Sequence, residues 1–169
     1  MSEILENIPV EMRWAISTQV LTGSLIGLHP IIGEMLGTKK WREITEMSSS
    51  EGGKMFLPMV KEMFSIPVED AVGAANLATV AGTVMMGPEF TTEIVEANPE
   101  RATLKITKCP FWERYKEQEV KPEFRVCDAS HEAMCKAGFS AVNPKIACKL
   151  MKAMPRGDSY CEAVYEFKR

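Results

Sequence analysis

The chain has 169 residues, of which 46% are hydrophobic, and Lys+Arg 20 against Asp+Glu 23 give a formal net charge of −3. That supplies enough apolar material for one self-sufficient core. It offers no basic excess to displace counterions from a phosphate backbone, so nucleic acid is excluded as an expected partner. Residues 1–13 are acidic and lack a basic segment followed by an apolar run, so the sequence reads as cytoplasmic rather than secreted.

The first helix is expected to begin at Pro9, whose fixed φ and missing N–H suit a first helical position, with Val10, Trp14, Leu21, Leu25 and Leu28 as its apolar stripe. His29-Pro30 is expected to end it, with His29 as a capping residue, because a proline pushes the preceding residue out of the α region. A short helix to Leu36 and a turn at Gly37 follow. Residues 38–64 read as helix again, with an expected break or frayed turn over Ser48 to Gly53 and a kink at Pro58. A third helix is expected from near Pro67, thin and central, because Gly73, Ala74, Ala75, Ala78, Ala81 and Gly82 let neighbouring backbones approach. Residues 14–33 and 71–88 contain no Asp, Glu, Lys or Arg, yet the first is interrupted by polar residues and the second is short. Both are read as buried core helices, with no membrane as partner.

Beyond Gly87-Pro88 the period changes from helical to alternating. Residues 89–97 and 101–108 form a hairpin signal around Asn98-Pro99-Glu100, with Leu104 and Ile106 alternating with Thr103, Lys105 and Thr107. Helical segments over 111–118 and 123–138 lead to two more strands, 145–154 and 160–168, turned at residues 155–158. The fold class is therefore α+β: N-terminal helices packed on an antiparallel sheet formed by two hairpins with intervening helices. A single domain spans 1–169, helical over residues 1–87 and sheet-containing over residues 88–169.

The five cysteines, Cys109, Cys127, Cys135, Cys148 and Cys161, all fall in the last third. An odd count without an export signal argues for thiols or metal thiolates rather than a disulfide framework. Cys109, Cys127 and Cys161 stand at element ends, where sites form. Cys127, His131 and Cys135 recur every fourth residue and share one helix face. A site of Cys109, Cys127, His131 and Cys161 has the chemistry to hold zinc, though no CxxC spacing supports it. Cys148 reads as core, and Cys135 as either core or site. Serine-hydrolase, P-loop, zincin and dinucleotide motifs are absent from the sequence.

The motifs Lys108-Cys109-Pro110-Phe111-Trp112-Glu113, Cys127-Asp128, Gly138-Phe139, Asn143-Pro144 and residues 156–161 (Arg-Gly-Asp-Ser-Tyr-Cys) together resemble the L-2-amino-thiazoline-4-carboxylate hydrolase family. A looser resemblance is to the 4-vinyl reductase domain, a small-ligand-binding module. The first resemblance implies hydrolytic opening of a cyclic small-molecule substrate to N-carbamoyl-L-cysteine. On that reading Cys127 is the nucleophile, its pKa lowered at a helix start, and His131, placed one turn away by helical spacing alone, is the base. Cys109 and Cys161 assist, Asp128, Glu113 and Asp158 are supporting acids, and Arg156 meets a substrate carboxylate. The second resemblance implies a non-enzymatic ligand or metal sensor. A homodimer, built in part on the thin third helix, is a further expectation.

Overall fold

The computed structural model describes residues 7–168. Among them are five α-helices and one four-stranded sheet: α1 Val10–Leu36, α2 Thr38–Met63, α3 Ala71–Met86, β1 Thr91–Ala97, β2 Arg101–Lys108, α4 Pro110–Glu117, α5 Cys127–Val142, β3 Ile146–Lys152 and β4 Cys161–Phe167. Single 3-10 turns, Pro122–Phe124 and Met154–Arg156, precede α5 and β4. The sheet order is β1-β2-β4-β3 with every pair antiparallel, so the two hairpins join through β2 and β4 into the expected α+β arrangement.

The helix bounds of the N-terminal half depart from the sequence reading in three places. Helix α1 runs through Pro30 instead of ending at His29. Proline removes one backbone donor from the helix, but Ile26 on one side and Gly33 on the other are both buried, with Gly33 packed on the Phe124 ring, so both halves are clamped to the same neighbours. The true break is Gly37, whose φ of +80° is cheap only for glycine. Helix α2 likewise passes unbroken through Ser48 to Gly53. Its poor helix formers serve packing: a Cβ on Gly53 would overlap the Met134 carbonyl of α5, a Cβ on Gly138 would lie 2.8 Å from the Gly53 carbonyl oxygen, and Ser49 and Ser130 hydroxyls meet at 2.8 Å. Helix α3 begins at Ala71 rather than near Pro67, because the Asp70 carboxylate accepts from Gly73 N at 2.8 Å and caps it there.

Helix α3 is central, as its composition predicts, with Ala71, Ala74, Ala75 and Leu77 fully buried against the sheet. It therefore leaves little free face for a second copy of the chain. Helix α1 is the opposite case, and the expected burial of residues 14–33 does not occur. Its stripe of Val10, Leu21, Leu25 and Leu28 faces outward, while Thr22, Ile26 and Gly33 turn to the core. By length and composition α1 is able to cross a membrane.

Two clusters of buried side chains organise the interior. The larger joins Leu57 and Val60 of α2, the α3 alanines, Phe139 of α5 and Leu104, Ile146 and Tyr165 of the sheet. The smaller joins Ile26, Tyr115, Val120 and Phe124 beneath α1. His29 belongs beside this second cluster and is not a helix cap. Its Nδ1 lies 2.7 Å from Tyr115 Oη, and its ring meets Trp41 at 5.2 Å. Tyr115 Oη also accepts from Val126 N at 3.1 Å, so the phenol ties His29 to the residue before α5. Burial favours the neutral imidazole, lowering the His29 pKa to about 4.

Candidate functional site

Between α2, α3, α5 and the inner face of the sheet lies a cavity of about 190 Å3. Its wall is mainly apolar, with Leu57, Met85, Phe90, Leu104, Phe139 and Leu150 contributing. The topology explains why cysteines meet there. Ile106 is register partner of Cys161, so the end of β2 and the start of β4 lie side by side, and Cys109 follows β2 by one residue. Cys127 opens α5, so all three thiols reach the same end of the cavity. Asp128 and His131 also line the cavity, whereas Glu113, Arg156 and Asp158 do not.

The three thiols are not activated. Burial pushes Cys109 up to about 11 and Cys127 well above the usual thiol range, and nearby thiols raise both further. Cys161 is also raised, first by burial, although its sulfur accepts from Met154 N at 3.3 Å. The expected lowering of Cys127 at a helix start is thus overridden: desolvation outweighs one helix end. Among the described residues, no three His, Cys, Asp or Glu side chains are arranged to hold a metal ion. The zinc reading of Cys109, Cys127, His131 and Cys161 therefore lacks the geometry it needs.

The charged candidates form a structural clamp. Asp128 is 5% exposed, and its Oδ2 accepts from Arg42 at 2.7 Å and from Arg156 at 2.9 Å, tying α5 to α2 and to the turn before β4. Burial alone would raise its pKa, but the two guanidinium groups reverse the sign and hold it low. Arg156 also pairs with Glu132 at 2.8 Å, so it is already committed to two carboxylates. Glu113 pairs with Lys116, and Asp158 accepts from Ala153 N at 2.8 Å to close its turn.

A second group of polar side chains sits deeper, and sequence spacing points to only two of its members, His131 and Cys135. These lie one turn apart on the cavity face of α5. Phe139, one turn further, stacks edge-on against Tyr165 at 5.1 Å, which brings Cys135 over β4. Tyr165 is register partner of Cys148 on β3, so both side chains rise from the same face of the sheet. Tyr165 lies four positions beyond Cys161, about 13 Å along a strand, so this group is distinct from the first three thiols. Here the electrostatics reverse. A hydrogen bond from Cys148 holds the Cys135 thiol well below the usual range, and His131 acts in the same direction. Burial opposes a charged His131, but the Cys135 sulfur outweighs it and raises the imidazole. Cys148 is raised in turn, because it donates to Cys135. Tyr165 is fully buried, and its hydroxyl has no partner in good hydrogen-bond geometry. Its place in the alternation of β4, two residues after buried Ala163, was the available signal for it.

No protein-family model matches the chain, and no curated protein matches it. Solved structures do. The chain is similar to the phenol-responsive sensory domain of the transcription activator PoxR, solved with phenol, at a TM-score of 0.65 and 13% identity, covering 86% of this chain and 74% of that one. It is also similar to trafficking protein particle complex subunit 3 from Naegleria fowleri, covalently bound to palmitic acid, at a TM-score of 0.57 and 11% identity, covering 91% of this chain and 96% of that one. At such identities the likeness is one of fold: the helix-covered antiparallel sheet of this chain is an architecture it has in common with a sensory domain and a trafficking-complex subunit.

Proposed function

We propose that the chain is a ligand-binding module whose cavity takes one small, largely apolar molecule carrying a single hydroxyl or carbonyl group. The observation that carries this reading is the apolar cavity of about 190 Å3 with the unpartnered Tyr165 hydroxyl in its wall. An apolar cavity of about 150 Å3 is enough to hold a benzene ring, so this volume suits one ring with a substituent. The fold likeness to a phenol-responsive sensory domain supports the same reading. The hydrolytic alternative implied by the motifs requires an ionised nucleophile, and burial keeps Cys109, Cys127 and Cys161 as neutral thiols at pH 7.

Phenol and toluene, added in a thermal-melt series, test the proposal. At a hundredfold excess over Kd, binding adds about 2.7 kcal/mol, which for a domain of this size raises Tm by roughly 5–10 °C. Tyr165→Phe should weaken phenol about tenfold while leaving toluene unchanged, as loss of one hydrogen bond implies. No shift with either compound, together with turnover of the thiazoline by the wild type, would replace this reading by the hydrolase.

We further propose that two copies of the chain pair through the outward face of α1. Val20, Leu28, Ile31 and Met35 are 64%, 47%, 54% and 77% exposed, and residues 14–33 carry no charge. A long uncharged helix face with large apolar side chains exposed along it is the kind of surface that a second copy of the chain covers. Sedimentation should therefore show a dimer, and Leu28→Glu should give a folded monomer. A wild-type monomer that co-pellets with phosphatidylcholine vesicles would assign α1 to a membrane instead.

A further inference from the structure

We propose that Cys135 and Cys148 are an oxidisable dithiol: a peroxide entering the cavity oxidises Cys135, and Cys148 then closes a disulfide linking α5 to β3. The pair would act in this way whatever ligand the cavity binds. Placement comes first. Cys148 is register partner of Tyr165 and packs against the buried cluster that contains Cys135 and Tyr165, so α5 and β3 bring the two thiols into one another's reach. Cys135, His131 and Tyr165 all line the cavity, which has ample room for hydrogen peroxide, a molecule scarcely larger than water.

The electrostatics agree with the placement. Two groups, Cys148 and His131, converge on the Cys135 sulfur and favour its thiolate. The thiolate is the form that reacts with peroxides. Cys109, Cys127 and Cys161 share a cavity with it but are held as thiols, so five cysteines divide into one reactive pair and three inert neighbours.

The chemistry balances with hydrogen peroxide as the sole oxidant. The Cys135 thiolate attacks one peroxide oxygen, the O–O bond breaks, and the departing hydroxide leaves as water with the His131 proton. Sulfur is oxidised to sulfenic acid and peroxide is reduced. The Cys148 sulfur then attacks Cys135, the S–O bond breaks, and hydroxide leaves as a second water with the Cys148 proton. Two thiols and one peroxide give one disulfide and two waters.

Treating the full chain with one equivalent of hydrogen peroxide, followed by iodoacetamide in denaturant and peptide mapping, tests this. The expected product is lighter by about 2 Da, is unlabelled at Cys135 and Cys148, is labelled at the other three cysteines, and reverts with dithiothreitol. Cys148→Ser should stop at a Cys135 sulfenic acid that dimedone traps, and His131→Gln should slow wild-type oxidation roughly tenfold. The wild-type map stands even if a variant folds poorly. A disulfide among Cys109, Cys127 and Cys161, or oxidation of Cys135 no faster than of free cysteine, would overturn the proposal.

Discussion

Gly53→Ala is expected to destabilise the protein by about 2 kcal/mol, whereas Gly52→Ala, one residue away, is expected to stabilise it by about 0.5–1 kcal/mol. Both substitutions gain the helix propensity of alanine, worth up to about 1 kcal/mol in a helix interior. Only one meets an obstacle. A Cβ at Gly52 has nothing within 4 Å, while a Cβ at Gly53 overlaps the Met134 carbonyl oxygen. That atom is backbone in α5 and cannot swing aside, so α2 and α5 must separate, and overpacking of this kind costs about 1–3 kcal/mol or more. The loss spreads, because the same contact holds Gly138 on Leu57 and brings Ser49 to Ser130. Urea unfolding of the two variants beside the wild type measures the difference. Shifts of the same sign would mean that the two helices are not in backbone contact at Gly53.

The second large effect is acid sensitivity centred on His29. Its folded pKa is about 4, against about 6.5 for an exposed imidazole, so between those values the unfolded chain binds a proton that the folded chain refuses. Stability from this group is complete above pH 6.5 and is lost as pH falls toward 4. A shift of this size corresponds to about 3 kcal/mol, and partial exposure of the ring reduces the expectation to about 2 kcal/mol. Protonation also sets a charge beneath α1, in the buried cluster around Tyr115. His131, the other histidine, is shifted upward, so its stabilising contribution is present below the unfolded pKa and lost as pH rises through the folded one. The two slopes oppose each other. His29→Gln separates them: unfolding free energies at pH 7, 6 and 5 should fall steeply in the wild type and stay flat or rise in the variant. An equal fall in both proteins would remove His29 as the acid-sensitive group.

Local information carries much of the architecture. The period-2 alternation of Leu104 and Ile106 and the turn at residues 98–100 dictate a local outcome that no distant residue overrides, and the Gly/Ala composition of 71–86 gives the expected central helix with its start moved to the Asp70 cap. The break expected at Ser48 to Gly53 does not form, for a tertiary reason. Weak helix formers are tolerated when their small size permits a close helix contact, and the partner surface on α5 is some eighty residues away in sequence. Pro30 follows the same logic, since burial of Ile26 and Gly33 on common neighbours holds the helix through it.

The candidate site divides along the same line. Which residues are able to do chemistry is written in the chain: five cysteines confined to the last third, a histidine one turn from two of them, and an apolar chain to surround them. What each of them becomes is a matter of tertiary packing. Whether a thiol is inert or reactive depends on the dielectric and the donors around it, and those come from elements far apart in the chain. Burial silences Cys109, Cys127 and Cys161, which their positions at element ends make conspicuous. Sheet register and one aromatic stack bring Cys148 and Tyr165 to Cys135, and no local spacing encodes that meeting.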